Sequence, residues 1–469
     1  MGVFASASAQ TVPRTEPEFY RYFEDKALRM DVIHSGTAGQ ELFSLDETFQ
    51  EPLWPGSRTN LIDTLNLGAY YLTVADRRTN RTVYSYAFAS IFSEWRTTKE
   101  AGSGVWRSFS ESIRFPWPKA PVKVTVEARD KENVFRPVWT VLIDPSDPEI
   151  VKNAFFQDCR VLSILHNGDP HQKVDLVILP DGYSAAEMTK FRKDARRFTD
   201  TLFAVSPFRE RRSSFNVTAV EAPSVESGVD DPNAGVYRDN LLSCSFNAFN
   251  TDRYALTWNN KTVRKLASRV PYDQVIIMMN TPKYGGGGIF NLYAISCTDN
   301  FWSGYILIHE FGHAFGGLGD EYYTSETAYE DLYPAGVEPW EPNIAQSLDR
   351  GRIKWQAFLE PGVPLPTPWD QNGFDMHESD FHRLRQTLID AKRPQTSIDS
   401  LTLVSDRWKY DFLHSRPHWG RVGAYEGCGY AAKGLYRPYA DCLMFSRSHT
   451  PFDPVCRRAI ENVIDFHTR

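Results

Sequence analysis

At 469 residues, with 42% hydrophobic and 24% charged side chains, the chain is too long for one compact core and too apolar to be disordered, so two or three folded domains are expected. A net charge of −7 and a pI near 5.9, without any Lys/Arg block that tracks a phosphate backbone, exclude nucleic acid as a partner. No apolar stretch of about 18 residues runs uninterrupted, so no transmembrane segment is expected, and composition gives no signal of oligomeric state.

Residues 3–9, Val-Phe-Ala-Ser-Ala-Ser-Ala, carry two overlapping Ala-x-Ala patterns ahead of Gln10. They read as the end of a secretory signal, with residues 1–19 as its remnant or an N-terminal tail, and the protein is expected to be exported. Export permits disulfides. The six cysteines, at 159, 244, 297, 428, 442 and 456, form no Cys-x-x-Cys pair, so a cysteine zinc site is unsupported. One or two bridges are expected, with Cys442 to Cys456 or Cys428 the favoured region.

Residues 20–145 carry short alternating segments separated by turn signals, among them Tyr70 to Val74, Val83 to Tyr86 and Val122 to Val126. That pattern predicts an all-β sandwich. Asp144-Pro145-Ser146-Asp147-Pro148 blocks regular structure with two prolines and marks the domain boundary. From about residue 150 to 469 the pattern alternates. Strands are predicted at Val174 to Leu179, Phe215 to Val220 and Gln274 to Met279, and helices at Ala185 to Phe203, capped by Ser184, and near Lys261 to Arg269. This is an α/β (α+β) domain with a mixed sheet of at least three strands. Gly285 to Gly288 reads as a flexible turn before an edge strand at 289–296, a strand open to β-augmentation by an extended substrate or else an ordinary edge.

A buried helix, capped by Asp299 or Asn300, is predicted to run through Trp302 to His313. His309 and His313 are four apart, one turn along one face, the spacing that lets two imidazoles share a zinc ion. Glu310 lies beside that face, placed to take a proton from a water polarised by the metal and return it to a leaving amine. A satisfied pair of core histidines is the bland alternative for those five residues. Gly316, Gly317 and Gly319 then end the helix and reverse the chain, bringing Asp320 towards the site eleven residues after His309. The metzincin signature places its third ligand about ten residues after the first histidine. Asp320 is the expected third ligand, with Glu321 or Glu426 as rivals. Met444, in Asp441-Cys442-Leu443-Met444-Phe445, stands in the order of a methionine turn beneath the metal, or is plain core. Tyr430, Tyr436 and Arg437 are candidate donors to an oxyanion on the scissile carbonyl, a structural role being the alternative. Asp230, Asp231 and Asn233 have calcium-loop character without complete spacing and read as a solvated turn.

In its motifs the chain resembles the M64 family of metallopeptidases, known for an immunoglobulin A peptidase. The matching text is His-Glu-Phe-Gly-His-Ala-Phe-Gly-Gly-Leu-Gly-Asp-Glu-Tyr at 309–322, Asp-Leu-Val-Ile-Leu-Pro-Asp-Gly-Tyr at 175–183, Phe-Asn-Val at 215–217 and Ser-Val-Glu-Ser-Gly-Val-Asp at 224–230. Tyr-Glu-Gly-Cys-Gly-Tyr at 425–430, Lys-Gly-Leu-Tyr-Arg-Pro at 433–438 and Cys-Leu-Met at 442–444 extend it, so the resemblance covers about 160–460. It implies a metzincin-like domain with an active-site helix binding one Zn2+, an exported protein acting on a protein or peptide substrate, and often an N-terminal β-sandwich. It does not imply that immunoglobulin A is the substrate. Residues at about 369–420, with a helical segment near Phe381 to Ala391, form an insert expected to wall the cleft.

Overall fold

Alternation of apolar and polar residues folds the N-terminal region into two sheets. In this computed structural model, which describes residues 15–152, 159–325, 327–330, 332–448 and 450–468, Phe23–Gly36, Glu41–Glu51, Arg107–Pro118 and Val151–Lys152 form one four-stranded sheet. Tyr70–Asp76, Thr82–Phe88, Val122–Arg129 and Phe135–Ile143 form the other. Leu72 and Val74 point inward between half-buried Tyr71 and Thr73, and with Val124, Val126, Met30, Val32 and Phe115 they make a core shared by both sheets. The folded chain begins earlier and the first sheet ends later than the sequence indicated. Glu16–Tyr22 is a helix whose Phe19 enters this core, so residues 16–19 belong to the fold and not to the expected tail; residues 1–14, with the Ala-x-Ala stretch at 3–9, lie outside the described residues. Val151 and Lys152 pair in parallel with Phe49 and Gln50, past the two prolines of 144–148.

The second region is built on a six-stranded sheet in the order Gly286–Ile289, Tyr293–Cys297, Gln274–Met279, Val174–Asp181, Phe215–Glu221, Arg160–Leu165. Its central strands are parallel, and Val174–Asp181 and Gln274–Met279 are buried at every position, as strands covered on both faces must be. Helices Met188–Leu202, Asn260–Ala267, Ser303–Gly316 and Pro454–Thr468 pack onto it. Ser184 and Glu187 form a reciprocal capping box ahead of the first.

The glycine run departs from expectation. Gly286–Ile289 is itself the antiparallel edge strand, and Tyr293–Cys297 lies between it and Gln274–Met279. Glycine is required because the strand runs flat against the helix Ser303–Gly316: a Cβ on Gly288 would lie 2.2 Å from the Glu310 carbonyl oxygen and 3.0 Å from His313 Cβ. Nor is the strand's start a free template for substrate, because Ala255 N–H donates to Gly286 O at 3.0 Å.

The stretch 369–420 forms a hairpin of two helices, Gln371–Asp390 and Gln395–His414, with a buried Lys409–Glu378 ion pair at 2.8 Å between them. The expected disulfides do not form among the described residues: Cys244, Cys297, Cys428, Cys442 and Cys456 are all free thiols. Cys442 and Cys456 place their sulfurs 3.9 Å apart, about twice a disulfide bond length, while Cys428 packs instead with Ile344 and Leu435. No described helix is long and apolar enough to cross a membrane.

Candidate metal centre

Ser303–Gly316 is a helix because its apolar residues find partners on every side: Ile306, Leu307, Phe311, Ala314 and Phe315 are all buried. Neither expected cap serves: the N-cap is Trp302, without a side-chain cap bond, and Asn300 Oδ1 accepts the Trp302 N–H at 3.0 Å in the turn just before the helix. Gly317, at φ +62, ends the helix in the left-handed conformation, and its N–H bonds His313 O at 3.1 Å. That reversal returns Asp320 to the histidine face. His309 Nε2 lies 3.0 Å from Asp320 Oδ1, His313 Nε2 lies 3.2 Å from the same oxygen, and the two Nε2 atoms are 3.2 Å apart.

The far side of each ring is already committed. His313 Nδ1 donates to Leu318 O at 2.6 Å, and His309 Nδ1 donates to Leu443 O at 3.3 Å. Carbonyls only accept, so each Nδ1 carries a proton and Nε2 is the nitrogen turned into the cluster, the orientation a metal ligand needs once a metal displaces the proton there. The second oxygen of Asp320 accepts the Tyr430 hydroxyl. Burial works against charge on Asp320, yet the histidines outweigh it and hold its carboxyl well below the usual range. Burial likewise opposes charge on His313, but the Asp320 carboxylate prevails and lifts it to about 10. Cations are strongly favoured at this point in the fold, and a metal competes there with protons.

Neighbouring segments lock the loop. Asn343 accepts the Gly319 N–H at 2.8 Å and donates to Gly319 O and Glu321 Oε1, both at 2.9 Å. The turn at 442–445, closed by Phe445 N–H to Cys442 O at 2.8 Å, offers Leu443 O to His309 and Met444 O to the Glu321 N–H at 3.0 Å. Met444 is fully buried beneath the helix, where Gly312 makes room: a Cβ there would lie 2.9 Å from Met444 Sδ.

Two family models match this chain, the IgA Peptidase M64 model over residues 162–464 and the Peptidase M64 N-terminus model over residues 18–140. The chain belongs to the M64 peptidase family. M64 peptidases are metallopeptidases, so its substrate is protein. No curated protein matches the chain.

In this M64 peptidase the three converging residues and Glu310 open onto a cleft of about 1750 Å³. Burial raises the half-buried Glu310 carboxyl, with His309 and His313 pulling the other way. The helical hairpin supplies one wall through Phe381, Arg385 and Thr402. The N-terminal sheets supply another, and with it a residue the sequence did not single out. Glu94, from the short helix Ile91–Trp95, accepts the hydroxyls of Tyr254 and, at 2.7 Å, Tyr329. Burial lifts its carboxyl to about 7 against the pull of those hydroxyls.

Other residues of the M64 chain fall away from the cluster. Glu426 lies on Tyr425–Cys428 and pairs with Lys433 at 3.0 Å, while Glu321 turns to the opposite side of the loop to meet Asn343 and Cys456. Neither rival takes Asp320's place. Tyr436 packs in a separate core with Trp355 and Val422. Arg437 is fully buried, donates to Gly427 O at 2.6 Å and Ala440 O at 3.2 Å, and lies 4.0 Å over the Phe445 ring, so it holds backbone and does not reach substrate. Of the three oxyanion candidates only Tyr430 lines the cleft, and its hydroxyl serves Asp320. Asp230 accepts the Arg238 N–H at 2.7 Å and Asp231 pairs with Lys283 at 2.8 Å, the solvated turn expected of that segment.

Proposed function

We propose that the chain is an exported, zinc-dependent endopeptidase with a metzincin-like catalytic domain, in which His309, His313 and Asp320 hold the ion and Glu310 is the general base. The observation that carries this reading is the convergence of two Nε2 lone pairs and one carboxylate oxygen within 3.0–3.2 Å of one another. Ligands of a tetrahedral zinc with bonds of about 2.0–2.1 Å are about 3.3 Å apart, so the donor set fits the ion without rearrangement. Zinc held there supplies Lewis acidity, lowering the pKa of a water towards neutrality and polarising the scissile carbonyl.

The remaining chemistry belongs to side chains. Glu310, adjacent to His309 and open to the cleft, takes a proton on its carboxylate and hands it to the departing amine. Its raised pKa suits both halves of that transfer, because a carboxyl poised nearer neutrality both accepts and releases a proton. Tyr430 fixes which Asp320 oxygen faces the cluster. The cleft is far larger than one side chain needs, which supports an extended chain as substrate and hence internal cleavage. Export rests on the Ala-x-Ala stretch at 3–9.

The test incubates the purified protein and its Glu310→Ala variant with a diverse peptide library, with and without a chelator, and reads products by mass spectrometry. Cleavage by the wild type alone, lost on chelation, is expected, with the variant slowed by on the order of 100-fold or more. Cleavage that persists in Glu310→Ala would sink the mechanism, and cleavage that survives the chelator would sink the metal.

A further inference from the structure

Directly behind the catalytic loop lies a second cluster of metal-ligating side chains that the peptidase reading does not use. Glu321, Cys442, Asp453 and Cys456 each bring a ligand atom within 4.8 Å of the others. Three separate stretches supply them: the residue after Asp320, the start of the turn that carries Met444, and the beginning of Pro454–Thr468. Cys442, Cys456 and Glu321 are 0% exposed and Asp453 is 3% exposed.

We propose that these four residues bind a second divalent cation of zinc type, structural in role and distinct from the catalytic ion. Geometry makes the first argument. The sulfurs are 3.9 Å apart and Cys456 Sγ lies 3.1 Å from Glu321 Oε1. A tetrahedral zinc with Zn–S bonds of about 2.3 Å sets its two sulfurs about 3.8 Å apart, whereas a disulfide holds them at about 2.05 Å.

The second argument is an unmet polar demand. Glu321 Oε2 and Asp453 Oδ2 are buried with no hydrogen-bond partner among the described residues, although the other oxygen of each is well used. Glu321 Oε1 accepts from Asn343, and Asp453 Oδ1 accepts the N–H groups of Val455 and Cys456 at 2.6 and 3.0 Å. Neither orphan oxygen has a donor in hydrogen-bond reach among the described residues. A buried oxygen left in that state costs on the order of 1–3 kcal/mol. Nor does a cationic side chain bond to the cluster among the described residues: the two terminal nitrogens of nearby Arg437 donate to the carbonyls of Gly427 and Ala440, and its Nε has no partner. A coordinated cation meets both demands at once, the two thiol protons passing to solvent as it binds.

All four positions are protein ligands sealed from solvent, the closed arrangement of a structural site. Such an ion would tie the Asp320–Glu321 loop, the 442–444 turn and the final helix into one floor beneath the catalytic centre.

The full chain, purified without chelator, should carry two metal ions by native mass spectrometry and elemental analysis. His309→Ala/His313→Ala should retain one. Cobalt(II) loaded into that double variant should show sulfur-to-metal charge-transfer absorption in the near ultraviolet, a signature only thiolate ligation produces; adding Cys442→Ser should remove the band and the ion. The cobalt readout needs no variant of the second cluster, so a failure of Cys442→Ser to fold leaves the test intact. No ion in the histidine double variant, no sulfur-to-metal band in its cobalt form, or a Cys442–Cys456 disulfide in the intact mass would each overturn the proposal.

Discussion

Substituting Gly288 by alanine probes how tightly the edge strand seats the catalytic helix. The new Cβ would lie 2.2 Å from Glu310 O and 3.0 Å from His313 Cβ, and the first contact is backbone that cannot rotate aside. Ordinary contact distances of about 3.5 Å require the strand or the helix to retreat by about 1 Å. Overpacking of that kind costs roughly 1–3 kcal/mol, which lowers Tm by a few degrees in a protein of this size. A 1 Å displacement of catalytic groups costs on the order of 100-fold in rate. The expected result is therefore a mild loss of Tm with a loss of about 100-fold in kcat, measured on a peptide cleaved by the wild type and at saturating zinc. Gly39→Ala, where nothing lies within 4 Å of the added Cβ, serves as the reference and should change neither quantity. A Gly288→Ala enzyme that keeps kcat within about threefold of wild type would refute the reasoning and show that the strand does not register the helix.

Tyr430→Phe removes the donor to Asp320 Oδ2 and should weaken metal binding by roughly 10–100-fold in zinc-buffered titrations, with little change in kcat once the site is saturated. Asp175 is buried, and that burial, reinforced by neighbouring Asp273, raises its carboxyl above the ordinary range. A folded pKa above the unfolded one means that the native state binds the proton more tightly, so stability falls as pH rises from about 4 through the neutral range. Asp175→Asn keeps an acceptor for Asn216 and removes the titration, so its Tm should vary less between acid and neutral pH in scanning calorimetry; parallel curves would refute the assignment. Asp370 and Arg416 form an ion pair at 3.3 Å, so a short linker can replace the helical hairpin between them. That deletion should broaden the cleavage profile in a peptide library while short peptides are cut as before, and an unchanged profile would mean that the hairpin does not select substrate.

The histidine pair was legible because helix periodicity alone fixes two side chains four residues apart, and Asp320 because glycines at 316, 317 and 319 leave the chain few ways to go but back. Buried strands such as Val174–Asp181 announced themselves as unbroken apolar runs. Gly285 to Gly288 reads as a turn because glycine is poor in strands, a preference overridden by the close approach of a helix that no local pattern reveals. Arg437 carries the charge expected of an oxyanion donor, but burial commits its guanidinium to carbonyls. Glu94 had no signal at all: its partner Tyr329 is 235 residues away in sequence, and a lone carboxylate in a short helix looks like any exposed acid.

That last contact changes how the two halves of the chain relate. Glu94 belongs to the N-terminal region, yet it accepts the hydroxyl of Tyr329, whose ring lies 5.8 Å from that of Tyr430, whose own hydroxyl donates to Asp320. Tyr254, the other partner of Glu94, precedes Ala255, which donates to the glycine strand. The N-terminal region thus reaches the loop that carries Asp320 by one route and the strand beneath Ser303–Gly316 by another. A catalytic fragment starting at residue 150 would leave both tyrosines without their acceptor and would uncover Leu67, Ile91, Phe92 and Trp95, which share one core with the peptidase sheet. Residues of both regions line the same cleft, so the β-rich half forms one of its walls.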